Sequence, residues 1–254
     1  MGDLNGKTAL VTGSSRGIGR SIAQRLAKDG ALVAVHYGSN DTAAKETAES
    51  ISTAGGRAFI VGAELGVLGD AEALFAAFDT ELAASGAEPG LDILVNNAAL
   101  NFPGRIDQVT PEEFDRTIAV NIKAPFFLAQ HGLRRMRDGG RIINISSAVT
   151  STAHPSQIAY SISKGGMDTL TLALAKDLGA RGITVNTIAP GWVETDVTAT
   201  RRATPEGRAA LAAYSVFNRI GKPQDIADVA AFLASDDSRW ITGQRFDVTG
   251  GSML

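Results

Sequence analysis

Seven short apolar runs, each followed by a stretch of helical period, leave this chain few folds to choose from. The runs predict strands at Thr8–Val11, Leu32–His36, Ala58–Val61, Ile93–Val95, Arg141–Ile145, Thr184–Ile188 and Phe246–Val248. Between them lie stretches of helical period, as at Ile18, Ile22 and Leu26, with Gly30 placed to end that helix. Thr110-Pro-Glu-Glu113 reads as an N-cap, a first-turn proline and a capping-box glutamate opening a long helix. Gly55-Gly56 and Gly139-Gly140 read as helix-to-strand joints. Strands that alternate with helices imply an α/β fold, a doubly wound parallel sheet with helices on both faces. No repeat, low-complexity tract or linker divides the chain, so a single domain over 1–254 is expected.

Charge and composition narrow the function classes. Lys plus Arg is 24 against 27 for Asp plus Glu, so the net charge of −3 gives no reason to expect nucleic acid or an acidic membrane as partner. Cysteine is absent, which removes disulfides, thiolate nucleophiles and cysteine metal sites. His36, His131 and His154 have no ligand spacing, so no metal is expected. The N-terminus lacks the basic flank and apolar core of a signal peptide, and Gly6 stands where myristoylation wants Ser or Thr. No apolar run reaches a membrane-spanning length, and the expected address is the cytoplasm.

Directly after the first strand, Thr12-Gly-Ser-Ser-Arg-Gly-Ile-Gly19 opens the first helix. Gly13, Gly17 and Gly19, with Ser15 and Ile18 between them, would let backbone approach a pyrophosphate at a helix N-terminus. The same glycines could merely tighten a strand-to-helix turn. Arg16 could grip a phosphate or lie exposed. At the end of the second strand, His36-Tyr37-Gly-Ser39-Asn40 holds no carboxylate before Asp41, which reads as a cap or first-turn residue. Without an acid for the ribose hydroxyls, this end suits a 2′-phosphate, so NADP is favoured over NAD. Glu64-Leu65 and Asn96-Asn97-Ala98-Ala99 follow the third and fourth strands, at carboxyl ends where such sheets bind ligands. Paired asparagines also cap turns. Asn121 sits in a helical pattern that it suits poorly, and reads either as a satisfied polar residue or as the mark of a local kink with water. Ser146-Ser147 follows the fifth strand and Ala189-Pro190-Gly191-Trp-Val193-Glu-Thr195 the sixth. The second segment could meet a nicotinamide amide or be a rigid turn.

Tyr160-Ser-Ile-Ser-Lys164 places a phenol and an ammonium on one helix face. The ammonium favours the phenolate. Lowering the phenol to near 7 would take roughly 4 kcal/mol at about 1.36 per unit, and would give a general acid or base for neutral pH.

Gly13-x-x-x-Gly17-x-Gly19, Asn96-Asn-Ala, Asn121, Ser147, Tyr160-x-x-x-Lys164 and Pro190-Gly191, in that order and spacing, resemble the short-chain dehydrogenase/reductases over essentially the whole chain. The tail from Gly221-Lys-Pro to Asp247-Val-Thr-Gly-Gly251 resembles their 3-oxoacyl-(acyl-carrier-protein) reductase-like members. The resemblance implies a Rossmann-like fold and an NADP(H)-dependent exchange of ketone and secondary alcohol. In it Tyr160 is the general acid or base, and Lys164 lowers its pKa and holds the nicotinamide ribose. Ser147 orients the substrate oxygen, and Asn121 holds a water that links Lys164 to solvent. Val193 and Thr195 would hold the carboxamide, and Glu64-Leu65 would line the adenine. Ala99 and Glu64 replace the more usual Gly and Asp. A 3-oxoacyl thioester leads the substrate expectations, with a sugar, polyol or steroid-type alcohol next and a non-catalytic NADP-binding sensor or scaffold last. Substrate choice is expected in Leu100–Pro103, Thr150–Gln157 and a small lid over 192–217. The resemblance also implies a homotetramer, with the helices around Pro111–Arg137 and Gln157–Ala180 and the last strand in its interfaces.

Overall fold

Aliphatic and β-branched runs become inner strands when both of their faces find cover. In the computed structural model, which describes residues 2–252, seven strands among the described residues form one parallel sheet. They are β1 (Thr8–Val11), β2 (Leu32–Tyr37), β3 (Arg57–Gly62), β4 (Leu91–Asn96), β5 (Met136–Ile145), β6 (Thr184–Pro190) and β7 (Arg245–Val248). Met1, Met253 and Leu254 of the expected 1–254 domain lie outside the described residues.

The order β3-β2-β1-β4-β5-β6-β7 runs outward from β1 to β3, returns beside β1, and then runs the other way. Connections leaving β1 and β4 therefore diverge, and a crevice opens at their carboxyl ends.

Period two decides which side chain faces which layer. Val11, Val33, Val35 and Val95 join the core beneath α1 (Gly17–Lys28), α2 (Asp41–Thr53) and α8 (Pro223–Ala234). Leu10, Leu32, Ala34 and Leu94 join the opposite core, beneath α3 (Asp70–Ala84), α5 (Ala124–Gly132) and α6 (Ile158–Leu178). Leu26 and Leu94 are fully buried, one in each layer; truncating either to Ala would cost about 2–5 kcal/mol.

The Thr110 box closes as expected. Thr110 Oγ1 accepts from the Glu113 N–H at 3.2 Å, and Glu113 Oε2 accepts from the Thr110 N–H at 3.1 Å. The helix it opens is not continuous: α4 (Pro111–Ile118) passes through a π-helical turn, Ala119–Lys123, before α5. Asn121 lies inside that turn, so of its two readings the local kink is present, and its side chain is also hydrogen-bonded. Pro125 has no N–H to give the carbonyl of Asn121 four residues earlier, which is one cause of the break.

Gly139-Gly140 is not a helix-to-strand joint. Both residues lie inside β5, where the pairing slips from Leu91↔Met136 to Ile93↔Arg141, and Gly139 takes a φ of 75° that a side chain would resist.

Near the carboxyl edge a buried polar chain crosses the sheet. Asn96 Nδ2 donates to Asn144 Oδ1 (2.9 Å), Asn144 Nδ2 donates to Thr171 Oγ1 (2.8 Å), and Thr171 meets Thr187 (2.7 Å). It ties α6 to β4, β5 and β6, and so fixes the helix that carries Tyr160 and Lys164.

Candidate active site

The glycine turn after β1 is shaped by its own packing. A Cβ on Gly19 would lie 2.4 Å from the Gly13 carbonyl oxygen and 2.5 Å from Asn97 Nδ2. Thr12 Oγ1 accepts from the N–H groups of Asn97 and Ala98 (2.9 and 3.0 Å), while Asn97 Nδ2 donates to the carbonyls of Thr12 and Gly13 (2.8 and 3.0 Å). The paired asparagine thus locks the turn to the end of β4. Arg16, the N-cap of α1, makes no side-chain cap bond, and the first turn holds no acidic residue. Four N–H groups and the positive dipole end are left to an anion.

That helix end opens on a cavity of about 640 Å³. Ser15, Arg16, Gly17, Ile18, Ser39 and Asn40 line one end of it. Asn40 Oδ1 is committed to capping α2, accepting from the Ala43 N–H at 3.0 Å. Asp41, the first carboxylate after β2, is paired with Lys45 at 2.8 Å and held below the usual carboxylate range by that hydrogen bond. Arg16 meets one carboxylate, Asp196, at 3.7 Å across the cavity mouth, an exposed pair that leaves the guanidinium able to turn to a phosphate. The uncapped helix end beside it fits a phosphorylated dinucleotide.

Four expected contacts fall elsewhere. His36 is 2% exposed and turned into the structure: the Gly13 N–H donates to Nδ1 and Nε2 meets the Ala63 carbonyl, both at 2.9 Å. Burial pushes it down to about 4, partly opposed by the Ala63 bond, so it is neutral and shapes the turn from behind. The Tyr37 ring covers Gly62 and does not line the cavity. Glu64 points outward to Arg116 at 2.6 Å, and Leu65 is buried in the core beneath α3. The reason is common to all: β2 and β3 end in packed or ion-paired side chains, and only the loop beyond β2 reaches the cavity.

Ser147, at the end of β5, caps the short turn Ala148–Thr150, its Oγ accepting from the Val149 N–H at 3.4 Å. Tyr160 and Lys164 descend from α6 into the same cavity. Lys164 is 1% exposed; its Nζ donates to the Ile145 carbonyl at 2.7 Å and lies 5.6 Å from the Tyr160 ring centroid. The protein's own groups do not make the phenol acidic. Burial pushes Tyr160 up to about 12, and the Ser147 hydroxyl opposes this only in part. Burial also pulls Lys164 down to about 8, against the charge of Asp168. The amine is held by a carbonyl over the ring, and desolvation of both groups outweighs their attraction.

Asn121 is fully buried. Its Oδ1 accepts from the Leu100 N–H, and its Nδ2 donates to the Leu100 carbonyl, both at 2.8 Å, and to Ser163 Oγ at 3.0 Å. Its side chain is thus spent on positioning. Pro190, Gly191, Val193 and Thr195 line the cavity beyond β6, as do Ala98 and Ala99 beyond β4. All three expected substrate segments meet there, through Leu100 and Asn101, Thr152, His154 and Gln157, and Trp192, Val197 and Tyr214. The Trp192 and Tyr214 rings stand 6.2 Å apart at 56°, and the Arg201 guanidinium lies 4.9 Å over Trp192. Sequence reasoning missed Thr12 and Ser14. Ser14 Oγ donates to the Val11 carbonyl at 2.7 Å and accepts from the His36 N–H at 3.0 Å; hydroxyls beside a glycine turn were the available signal.

The family model described as Enoyl-(Acyl carrier protein) reductase matches residues 13–253. A versicolorin reductase of Emericella nidulans is 40% identical over 260 residues, covering 98% of this chain and 96% of that protein. The solved structure of the promiscuous reductase LugOII, which catalyses keto-reduction at C1 during lugdunomycin biosynthesis, is 52% identical with a TM-score of 0.95, covering 99% of each chain. That of the landomycin C-6 ketoreductase LanV with bound NADP and rabelomycin is 51% identical with a TM-score of 0.90, covering 100% of this chain and 98% of that one. With the glycine turn, the serine and the tyrosine–lysine pair converging on one cavity, the chain belongs to the short-chain dehydrogenase/reductase family and is an oxidoreductase of that family.

Proposed function

We propose that this protein is an NADPH-dependent ketoreductase acting on a fused-ring aromatic ketone. One observation carries the substrate class: the cavity that contains Ser147, Tyr160 and Lys164 is walled by Trp192 and Tyr214. Aromatic faces stack on flat rings, at about 0.5–1.5 kcal/mol per pair beyond area burial. A flexible thioester arm has no flat face to offer, so the wall favours a fused-ring ketone over the 3-oxoacyl thioester expected from the tail. The keto-reduction catalysed by LugOII and the C-6 ketoreductase LanV, solved with NADP and rabelomycin, support ketone reduction with NADPH.

In this reading Arg16, Ser39 and the Asn40 amide receive the 2′-phosphate end, and the α1 N-terminus receives the pyrophosphate. The nicotinamide, when bound, supplies the hydride. Ser147 orients the ketone oxygen, and Tyr160 protonates it. A phenol near 12 is fully protonated at neutral pH, as a proton donor must be. Lys164 steadies the phenolate that is left, and the Asn121 backbone carbonyl, which Pro125 denies its ordinary i+4 donor, would hold the water that links Lys164 to solvent. The segment 192–217, short helices including α7 (Pro205–Ala212), closes over the substrate as a lid.

The protein is a cytoplasmic homotetramer in this reading. Ile162, Leu172 and Phe126 expose apolar surface on α5 and α6, as Trp240 does beside β7. No helix among the described residues is long and apolar enough to cross a membrane. Light scattering tests the assembly.

Oxidation of NADPH with a tetralone, an acetoacetyl thioester and a polyol-derived ketone tests the chemistry. The tetralone is expected to give the highest kcat/KM, and a faster thioester would overturn the substrate class. Tyr160→Phe is expected to lower kcat by about 10²–10⁴ with NADPH affinity kept; unchanged turnover would remove the proton donor.

A further inference from the structure

Behind Ser147, Tyr160 and Lys164 lies a charged pair that the reaction as described does not use. Asp168 follows Lys164 by one turn of α6, and Arg245 reaches it from β7. Arg245 Nε stands 3.3 Å from Asp168 Oδ2, and both side chains are mostly buried. The same guanidinium turns Nη1 to Asp247 at 2.6 Å and donates from Nη2 to the backbone carbonyl of Ser147 at 3.4 Å. One residue therefore touches the helix of the tyrosine and lysine, and the turn of the serine.

The pair is poorly arranged for stability alone. Asp168 Oδ1 and Arg245 Nε are buried without a hydrogen-bond partner among the described residues. A buried ion pair with unmet hydrogen-bonding capacity is weak support for a fold. Its placement makes sense through its neighbours. Lys164 is desolvated, and the carboxylate of Asp168 is the charge that opposes the loss of its proton.

Other charges near α6 are paired elsewhere or exposed. On β5, Arg137, Asp138 and Arg141 pair with Asp92, Arg181 and Asp236. On α4, Arg116 pairs with Glu64 and Glu113 closes the capping box, while Glu112 and Asp115 are exposed, as is Lys123 of the π-helical turn. β6 carries no titratable side chain.

We propose that Asp168 and Arg245 are positioning residues for proton transfer. Arg245 fixes the Ser147 turn through its carbonyl, and Asp168 holds Lys164 in its charged form. This rests on Tyr160 as proton donor.

The test is the pH profile of kcat for ketone reduction, with NADPH affinity followed by coenzyme fluorescence. Removing an anion beside Lys164 releases its proton earlier, and removing a cation releases it later. Asp168→Asn is therefore expected to move the alkaline limb to lower pH by about half a unit or more. Arg245→Gln should move it to higher pH and lower kcat by roughly threefold or more, with NADPH affinity unchanged. The double variant should return the limb toward the wild type. Limbs that stay in place, or that move in the same direction, overturn the proposal. Should the Asn variant not fold, Arg245→Lys decides. Expected is a wild-type limb with lowered kcat, because the charge is kept and the fork to Ser147 is lost; a wild-type kcat overturns the proposal. Tyr160→Phe is run beside them: activity retained there condemns the proton donor, whereas an inactive Tyr160→Phe with unmoved limbs condemns only the pair.

Discussion

Acid should loosen the coenzyme turn through one buried ring. His36 accepts from the Gly13 N–H at Nδ1 and meets the Ala63 carbonyl at Nε2, an arrangement that only the neutral imidazole can satisfy. Protonation would set a donor against a donor at Gly13. The folded pKa is about 4 against the ordinary 6.5. Because the folded value is depressed, the contribution is complete above pH 6.5 and is lost as pH falls towards 4. Two and a half units at about 1.36 kcal/mol each make it roughly 3 kcal/mol. Urea unfolding of the wild type and His36→Asn, at steps from pH 7 to 4, isolates this from the carboxylates that titrate in both. The asparagine can accept from Gly13 but does not ionise. The wild type should lose about 3 kcal/mol more than the variant over that range, and its affinity for NADPH should weaken in parallel. Equal losses in the two proteins would refute the assignment of the ring.

Gly19→Ala should be disproportionately harmful for one methyl group. Its Cβ would press on the Gly13 carbonyl and on Asn97, costing about 1–3 kcal/mol, and NADPH affinity by fluorescence should fall at least about tenfold. Lys164→Met should abolish turnover without destabilising the protein. Its folded pKa of about 8 means that, below pH 8, burying the charged amine costs roughly 3 kcal/mol relative to the unfolded chain. Removing it offsets an orphaned Ile145 carbonyl, worth about 1–3 kcal/mol. A clear drop in urea stability at pH 7 would contradict this.

The short apolar runs made the sheet legible, because strands covered on both faces are apolar throughout, and alternate residues of β1 and β2 divide between the two cores. The ordered motifs made most of the cavity legible too, because each sits at a strand's carboxyl end, where the topology must bring it. The errors have local causes. His36 shares a face with Leu32 and Ala34, both buried in the core beneath α3; the same period, carried one step further, points it inward rather than to the rim. Leu65 is apolar at a strand exit and fills the core. Gly139 and Gly140 serve a bulge, which uses the same residue type as a joint. The Asp168–Arg245 pair joins positions 77 residues apart, a distance no local pattern bridges.

The acidic tyrosine expected beside a lysine and a bound cationic ring gets no help from the protein's own burial, and that bears on its role in the reaction. A neighbouring ammonium was expected to favour the phenolate, but here each group is desolvated and each resists its charged form: the phenol moves up and the amine down. Before reaction the pair therefore favours a protonated tyrosine, the form that donates to a ketone oxygen. Alcohol oxidation instead needs the phenolate as base, and this enclosure opposes it. An alkoxide forming beside Ser147 is far more basic than a phenolate, so the proton still transfers downhill from a phenol near 12. The resulting anion lies beside Lys164, whose charge Asp168 helps to maintain. Burial that holds the tyrosine's proton at neutral pH therefore suits it to the acid's part in the proposed ketone reduction.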